Sequence, residues 1–452
     1  MHSRFLYIFF FYFILTTGIA GQSEILDNYI QTALKNNLSI ASESLLKEKQ
    51  QSRIEQAKKL KGFQIDLNAN YLFAEGGRTL EFPIGDLFNP INTTLNQLTS
   101  TNEYPIDLEN QSFQLTPNNF LDVQLGFSKS LVNSSIKYNQ LIQKELLQMN
   151  EVDMELTKKE LTFQVKTAYY NFLKTFEALR IFDQTESLLN EVLAFNKKLI
   201  KYDKATPDIL SDVEYQLATL NSQRASIEEQ QALAKASFNL LLNQSMDTDV
   251  LIDGNIINTA STPPQELNTL IAEAGQSRTE FQKLDVANSV NELNKTRIDK
   301  EKNPTLGMSG GVGLQTEYFR FDNGGPLYTL GFGMNWNLYD NGLRKKKIEE
   351  IQIDQKYLDI QRQQLQQQVD IQVTQVYLRL QALQARMQSE EVAVNSAKIS
   401  YTAVKKRYEN DKAILIELTQ AQNSLTTSEL SRALTKYDYL IQLAALDKMI
   451  GR

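Results

Sequence analysis

The chain is written twice. Residues 161–242, moved forward by the 208 positions that separate Leu161 from Val369, lie on residues 369–450 without a gap. Asp203, Lys204 and Ala205 fall on Asp411, Lys412 and Ala413, Leu210 on Leu418, Leu217 on Leu425, and Phe238 on Leu446. Upstream the match continues at a different shift: residues 25–71 lie on 266–312 at 241 positions, with Ala33 on Ala274, Ile40 on Phe281 and Leu67 on Met308. A repeat of this length dictates two similar halves. The shifts differ by 33 residues, so between residues 71 and 120 one half carries a much longer loop than the other.

Each copy holds a seam of mostly apolar residues spaced alternately three and four apart. It runs Leu161, Val165, Ala168, Phe172 and onward to Ile200 in the first copy, and Val369, Val373, Val376, Leu380 and onward to Tyr408 in the second. That is a heptad pattern, which predicts long helices packed as a coiled coil. Polar members of the seam, Glu186, Asn196 and Glu390, cost stability and can fix register. Helices over 135–200 and 344–408 would each span roughly 100 Å. Both break at the Asp-Lys-Ala turn, Pro207 opens the next helix in the first copy, and returning helices are predicted over 208–242 and 414–450. On helix pattern alone, a soluble coiled-coil rod accounts for the chain.

The N-terminus predicts a secretory signal peptide over residues 1–20. His2 and Arg4 lead into an apolar run from Phe5 to Leu15, and Gly18-Ile19-Ala20 offers a cleavage site. His2 is the only histidine and there is no cysteine. The mature chain therefore has no Ser-His-Asp or Cys-His machinery, no usual zinc site, no disulfide and no lipid on cysteine. Its carboxylates sit beside lysines at the spacing of helix-surface ion pairs, and it has no glycine-rich phosphate loop. We expect no catalytic residue, cofactor or metal. A net charge of -7 also makes nucleic acid a poor partner. Lysines and arginines gather at Lys58, Lys59 and Lys61, at Lys300 and Lys302, and at Arg344 to Lys347. The first two groups end helices, where cations suit the macrodipole.

Four short stretches alternate with period two, the mark of a half-buried strand. Ile65, Leu67, Ala69, Tyr71 and Phe73 alternate with Asp66, Asn68 and Asn70; Leu121, Val123, Leu125 and Phe127 with Asp122, Gln124 and Gly126. Residues 305–314 carry Leu306, Met308, Val312 and Leu314 among glycines, and Tyr328, Leu330, Phe332, Met334 and Trp336 alternate with Thr329, Gly331, Gly333 and Asn335. A soluble sheet with one dry face would read the same way. Three features favour a membrane barrel. Each stretch has about the length that crosses an outer-membrane hydrocarbon layer when tilted. The alternate face is small and mostly uncharged. Aromatic residues (Tyr71, Phe73, Phe127, Tyr328, Trp336 and Tyr339) stand where an interfacial girdle would. No helix after the signal segment has the roughly 20 apolar residues of a spanning helix. Four strands cannot close a barrel, and lipid tolerates no open edge, so copies must pool strands. Two copies give about eight strands with a filled interior; three give about twelve with an aqueous pore. At the 208 shift the apolar faces of the two strands preceding the long helices fall out of phase, and a one-residue slip at the strand-to-helix junction restores them.

The order and duplication of these segments resemble the TolC family of outer-membrane efflux channels over nearly the whole mature chain. The residues that carry the resemblance are Ala33-Leu34-Lys35-Asn36-Asn37 in the opening helix, Asn303-Pro304-Thr305-Leu306 at a strand entry, and Trp336 to Arg344 at a strand-to-helix junction. Val373-Thr374-Gln375-Val376-Tyr377, echoed at Val165 to Tyr169, and the run from Arg407-Tyr408 through Ala421-Gln422 complete it. Departures are Asn37 and Thr279 where the family tends to have proline, Phe63 at the first strand entry, and Asp203 and Asp411 where the turn usually carries glycine. Aspartate tolerates the left-handed conformation such a turn needs.

The resemblance implies a mostly α fold with a small β part: duplicated antiparallel helical hairpins forming an α-barrel tunnel, and four strands per chain in a trimeric twelve-stranded transmembrane β-barrel. Its parts would be the first repeat over 21–242 (helix, strand, long extracellular loop over 74–119, strand, helical hairpin), a linker or equatorial segment over 243–264, and the second repeat over 265–452. The implied function is a passive exit duct for drugs or proteins in the outer membrane, spanning into the periplasm. A periplasmic adaptor (a membrane fusion protein) would join the homotrimer to an inner-membrane transporter, and the barrel would sit in outer-membrane lipid. Closure at the periplasmic tip would fall to Tyr408, Asp411, Lys412 and Glu417, with Asp203, Lys204, Asp208 and Asp212 in the other copy. The alternative is a periplasmic coiled-coil structural or adaptor protein without a pore.

Overall fold

A computed structural model describes residues 24–115, 118–253, 265–319 and 326–452. The expected signal peptide and residues 254–264 of the linker lie outside these. In chain order the elements are α1 (Glu24–Asn36), α2 (Leu38–Lys59), β1 (Phe63–Leu72), β2 (Thr79–Phe82), α3 (Ile84–Thr99), β3 (Gln111–Gln114), β4 (Phe120–Val132), α4 (Ser134–Lys201) and α5 (Asp208–Leu241). There follow α6 (Leu267–Ser277), α7 (Thr279–Asp299), a single 3-10 turn (Lys300–Lys302), β5 (Thr305–Glu317), β6 (Pro326–Asn335), α8 (Leu343–Glu409) and α9 (Leu415–Met449). The chain divides into two compact units, each drawing on both repeats: one of residues 1–50, 146–289 and 355–452, the other of 51–145 and 290–354.

In the first unit the duplicated seams are the cores. Leu161, Val165 and Phe172 of α4 pack with Ala33 of α1, Phe238 and Leu242. Their counterparts at the repeat shifts, Val369, Val373 and Leu380 of α8, pack with Ala274 of α6, Leu446 and Ile450. The polar seam members each reach a second helix. Glu186 of α4 accepts from Arg224 of α5 at 2.9 Å, Glu390 of α8 from Ser431 of α9 at 2.6 Å, and Asn196 of α4 from Tyr408 of α8 at 2.5 Å. Bonds at fixed heights along otherwise slippery apolar seams set the axial register. Where the family would have proline, Asn37 stands between α1 and α2. Its side-chain oxygen accepts the Ser39 N–H at 2.8 Å, an N-cap for α2, and its amide donates to the Leu241 carbonyl at 2.8 Å.

The second unit contains an antiparallel four-stranded sheet in the order β1-β4-β5-β6. Leu67 pairs with Leu125, and its repeat counterpart Met308 with Phe332. The separation from Leu125 to Phe332 is 207, one less than the helical shift. The second copy therefore carries one more residue between strand and long helix, which is the expected slip. β4 runs almost directly into α4, with a bulge between Ser130 and Val132, whereas β6 reaches α8 through residues 336–342.

The stretch expected to be a plain loop, 74–119, is largely built. β2 pairs with β3, and α3 lies between them. Asn89, Asn92 and Asn96 share one face of α3. Their amides donate to the carbonyls of Leu108 at 2.9 Å, Pro105 at 2.6 Å and Tyr104 at 2.7 Å. Asn89 and Asn96 also accept from the Leu108 and Tyr104 backbone N–H groups. This ladder straps the returning chain to the helix so closely that a Cβ on Gly85 would lie 2.1 Å from the Leu108 oxygen. The opposite face, Leu87, Ile91 and Leu98, is exposed.

Candidate functional site

The two helical turns are built alike. Asp203 and Asp411 adopt φ of 53° and 52°. The Lys204 N–H donates to the Leu199 carbonyl at 2.9 Å and the Lys412 N–H to the Arg407 carbonyl at 2.8 Å. This is the Schellman closure that normally takes glycine; aspartate fills the left-handed position because it is among the few residues that tolerate it. Asp203, Lys204, Asp208, Asp212, Asp411 and Lys412 are all exposed. Asp208 stands in the first turn of α5, where a carboxylate suits the macrodipole.

Tyr408 is placed differently from these surface groups. It is buried, packs against Phe195 at 5.8 Å between ring centroids, and donates to the fully buried Asn196. Burial pushes its phenol above the usual range, with the Asn196 bond acting the other way. Val192, Val213, Tyr401, Val404, Leu415 and Leu418 complete the cluster around it. Two ion pairs flank it: Lys405 with Glu191 at 2.7 Å, joining α8 to α4, and Arg407 with Glu417 at 3.3 Å. The Glu191 hydrogen bond holds the Lys405 ammonium above its usual value. A cleft of about 320 Å³ lies between Glu191, Phe195, Lys198, Lys405 and Tyr408. Of the sequence candidates at this end, the structure thus joins Tyr408 and Glu417 to partners and leaves the aspartates on the surface. Asn196 and Glu191, which tie the first hairpin to the second, were legible only as a polar break in a seam and a surface acid.

α8 also carries a second heptad stripe. Ile371, Leu378, Val392 and Ile399, spaced by multiples of seven, are between 53% and 72% exposed, with Ala385 completing the series. Among the described residues nothing covers this second seam, and an exposed apolar stripe of this kind marks an interaction surface.

In the sheet the two faces separate cleanly. One face has the rows Ile65–Phe127–Gly310–Leu330, Leu67–Leu125–Val312–Tyr328 and Ala69–Val123–Leu314–Pro326. The other has Gln64–Ser128–Ser309–Gly331, Asp66–Gly126–Gly311–Thr329 and Asn70–Asp122–Gln315. Glycine at 310 is required by the packing: its Cβ would lie 2.8 Å from the Phe127 ring, which instead lies over the bare backbone. Among the described residues β1 pairs with β4 alone and β6 with β5 alone, so both edges are open. The girdle candidates occupy both strand ends and the middle. Tyr71 donates to Asn119 at 2.6 Å and stacks on Phe319 at 5.4 Å, with Phe73 exposed just past the strand. Phe127 lies edge-on to Phe63. Trp336 donates to the Lys302 carbonyl at 2.9 Å, and Tyr339 is 81% exposed. Phe127 and Tyr328 fall towards the middle of the sheet in pairing register, opposite Gly310 and Val312. No helix among the described residues is long and apolar enough to cross a membrane.

Residues 271–452 match the outer membrane efflux protein family. The efflux-protein match covers α8, α9 and both strands of the second repeat, and the matched family is one of channels, not enzymes. No curated protein matches the chain by sequence. Solved structures extend the likeness to the first repeat. The outer membrane protein VceC from Vibrio cholerae superposes with a TM-score of 0.68 at 15% identity, over 94% of this chain and 96% of that one. The transmembrane-channel protein CusC gives 0.71 at 13% identity, over 94% and 92%. The open state of the MtrE outer membrane channel of Neisseria gonorrhoeae gives 0.70 at 14% identity, over 94% and 89%. At these identities the likeness is one of fold: duplicated helical hairpins with a small strand part, the architecture of outer-membrane channels of the helical-tunnel and β-barrel type.

Proposed function

We propose that this chain forms the outer-membrane exit duct of a trans-periplasmic export system, as a homotrimer whose pooled strands close a twelve-stranded barrel. The observation that carries the reading is the sheet. It has four strands, an apolar face as wide as the sheet, a polar opposite face and two open edges. An open edge is not tolerated in lipid. Pairing β6 of one copy with β1 of the next continues the antiparallel order and removes every edge. The second seam on α8 supports the same conclusion, since copies brought together by the barrel would cover it. A pore-free coiled-coil adaptor has no use for such a sheet.

In this reading the polar face lines the pore. Asp66 and Asp122 each become a three-fold ring of carboxylates, which favours cations. The duct is closed at the helical turns, where Tyr408–Asn196 and Lys405–Glu191 hold the second hairpin to the first and the exposed Asp203, Asp208, Asp212 and Asp411 ring the mouth. A periplasmic adaptor and an inner-membrane transporter supply the cargo, drug or protein, and the leader over 1–20 directs the chain across the inner membrane. The test is planar-bilayer conductance of the purified full chain, alone and with Asp203, Asp411 and Glu417 changed to Ala. We expect channels whose conductance rises in the variant. A chain that forms no channel refutes the duct; a channel whose conductance is unchanged removes these acids from the gate.

A further inference from the structure

We infer that the helix-proximal end of the sheet is a binding collar for anionic glycerophospholipid headgroups, with Lys129 at its centre. The inference rests on the barrel reading above and goes beyond it.

The apolar face carries one charged residue. Lys129 occupies the row Phe63–Lys129–Met308–Phe332, and none of the four rows beyond it, out to Tyr71–Leu121–Thr316, contains a charge. A lysine on a lipid-facing surface is costly at mid-depth and nearly free at the interface, so this row marks the level of the headgroups. The Lys129 ammonium lies 4.3 Å from the centroid of the Phe63 ring and has no carboxylate partner among the described residues.

All three basic groups of the sequence flank this same end, because β1 and β5 start here and β4 and β6 finish here. Some of these cations are neutralised locally: Lys302 by Asp299, Arg344 by Asp340, Lys346 by Glu349 and Lys347 by Glu301. Lys59, Lys61, Lys129 and Lys345 make no ion pair among the described residues. The far end has the opposite balance: residues 73–119 hold six carboxylates and one arginine. Uncompensated ammonium groups beside exposed Trp336, Leu338 and Tyr339 fit an interface that is apolar on one side and anionic on the other. A phosphodiester accepts the lysine N–H donors while its acyl chains cover Phe63, Met308 and Phe332. Free phosphate would use only half of this surface, and a zwitterionic headgroup would leave the lysines uncompensated.

The test compares the full chain with a Lys61→Gln, Lys129→Gln, Lys345→Gln variant in nanodiscs of phosphatidylcholine, with and without phosphatidylglycerol. The readout is the phosphatidylglycerol retained, by native mass spectrometry. The wild-type protein should hold phosphatidylglycerol over phosphatidylcholine. The variant should lose about fivefold in that preference for each lysine removed, and arginine at the three positions should restore it. Equal retention by the Gln variant, or displacement of the lipid by excess inorganic phosphate, overturns the collar. Insertion into pure phosphatidylcholine discs checks that the variant folds. If the wild-type chain inserts into neither disc, the barrel reading fails and the collar with it.

Discussion

Replacing Tyr408 by Phe should loosen the helical turns by an amount the geometry bounds. The substitution removes one hydroxyl and leaves the Asn196 side-chain oxygen, 0% exposed, without its donor. An orphaned buried acceptor costs about 1–3 kcal/mol. That corresponds to a roughly 5- to 150-fold rise in local opening. Asn196→Leu should cost a similar amount, since it strands the phenol in an apolar cluster of Val192, Val213 and Val404. The double variant removes both polar partners, so it should cost far less than the sum of the two. The assay is hydrogen exchange of the full chain, read on the backbone amides of α4 and α8 near the turns, with distant amides of the α1–α4 core as an internal reference. Exchange should rise in each single variant and fall back in the double. If the two single effects simply add, the bond does not couple the hairpins and the proposed latch is wrong.

Other predictions follow from single positions. Gly85→Ala places a Cβ on the Leu108 carbonyl, so the strap over α3 should detach; limited proteolysis between residues 100 and 110 should accelerate, while β1 and β4 stay protected. At the left-handed turn, Asp411→Val should cost about 1–2 kcal/mol, whereas Asp411→Gly should be close to neutral, relief of strain being offset by unfolded-state entropy; thermal melting of the two variants checks this. Glu390 is held below its usual carboxylate range: burial works against its charge, but hydrogen bonds from Ser431 and Arg386 outweigh it. Its stabilising contribution is therefore full above the unfolded value near 4.5 and is lost as pH falls through the lower folded value. A Glu390→Gln variant should show a shallower loss of stability on the acid side.

What local periodicity encodes was legible in advance. The heptad seam, the alternating strands and the Asp-Lys-Ala turns each depend on residues a few positions apart, so the long helices end within a residue or two of the expected positions, while β4 runs on to Val132 and β5 to Glu317, beyond the alternation that marked them. Duplication added a check, because Leu161 and Val369 must play the same part. α3 was not legible. Its asparagines and Pro90 read as loop, since an isolated helix gains nothing from them; they become stabilising only when the backbone of Tyr104, Pro105 and Leu108 returns to meet them.

By itself, then, the sequence determined two hairpins, four strands of alternating pattern and the absence of any cysteine and of any histidine after His2. Only the tertiary structure decided which polar groups meet. Tyr408 finds Asn196 across 212 residues, and Lys129 of β4 comes to stand over the Phe63 ring of β1. It also made the open edges concrete: among the described residues the outer edges of β1 and β6 stay unpaired at opposite sides of one sheet. The physical reason is common to all three. Periodicity fixes which way a side chain points along its own element, but a hydrogen bond, a pairing register or an empty edge belongs to two elements at once, and their meeting is set by packing over the whole chain.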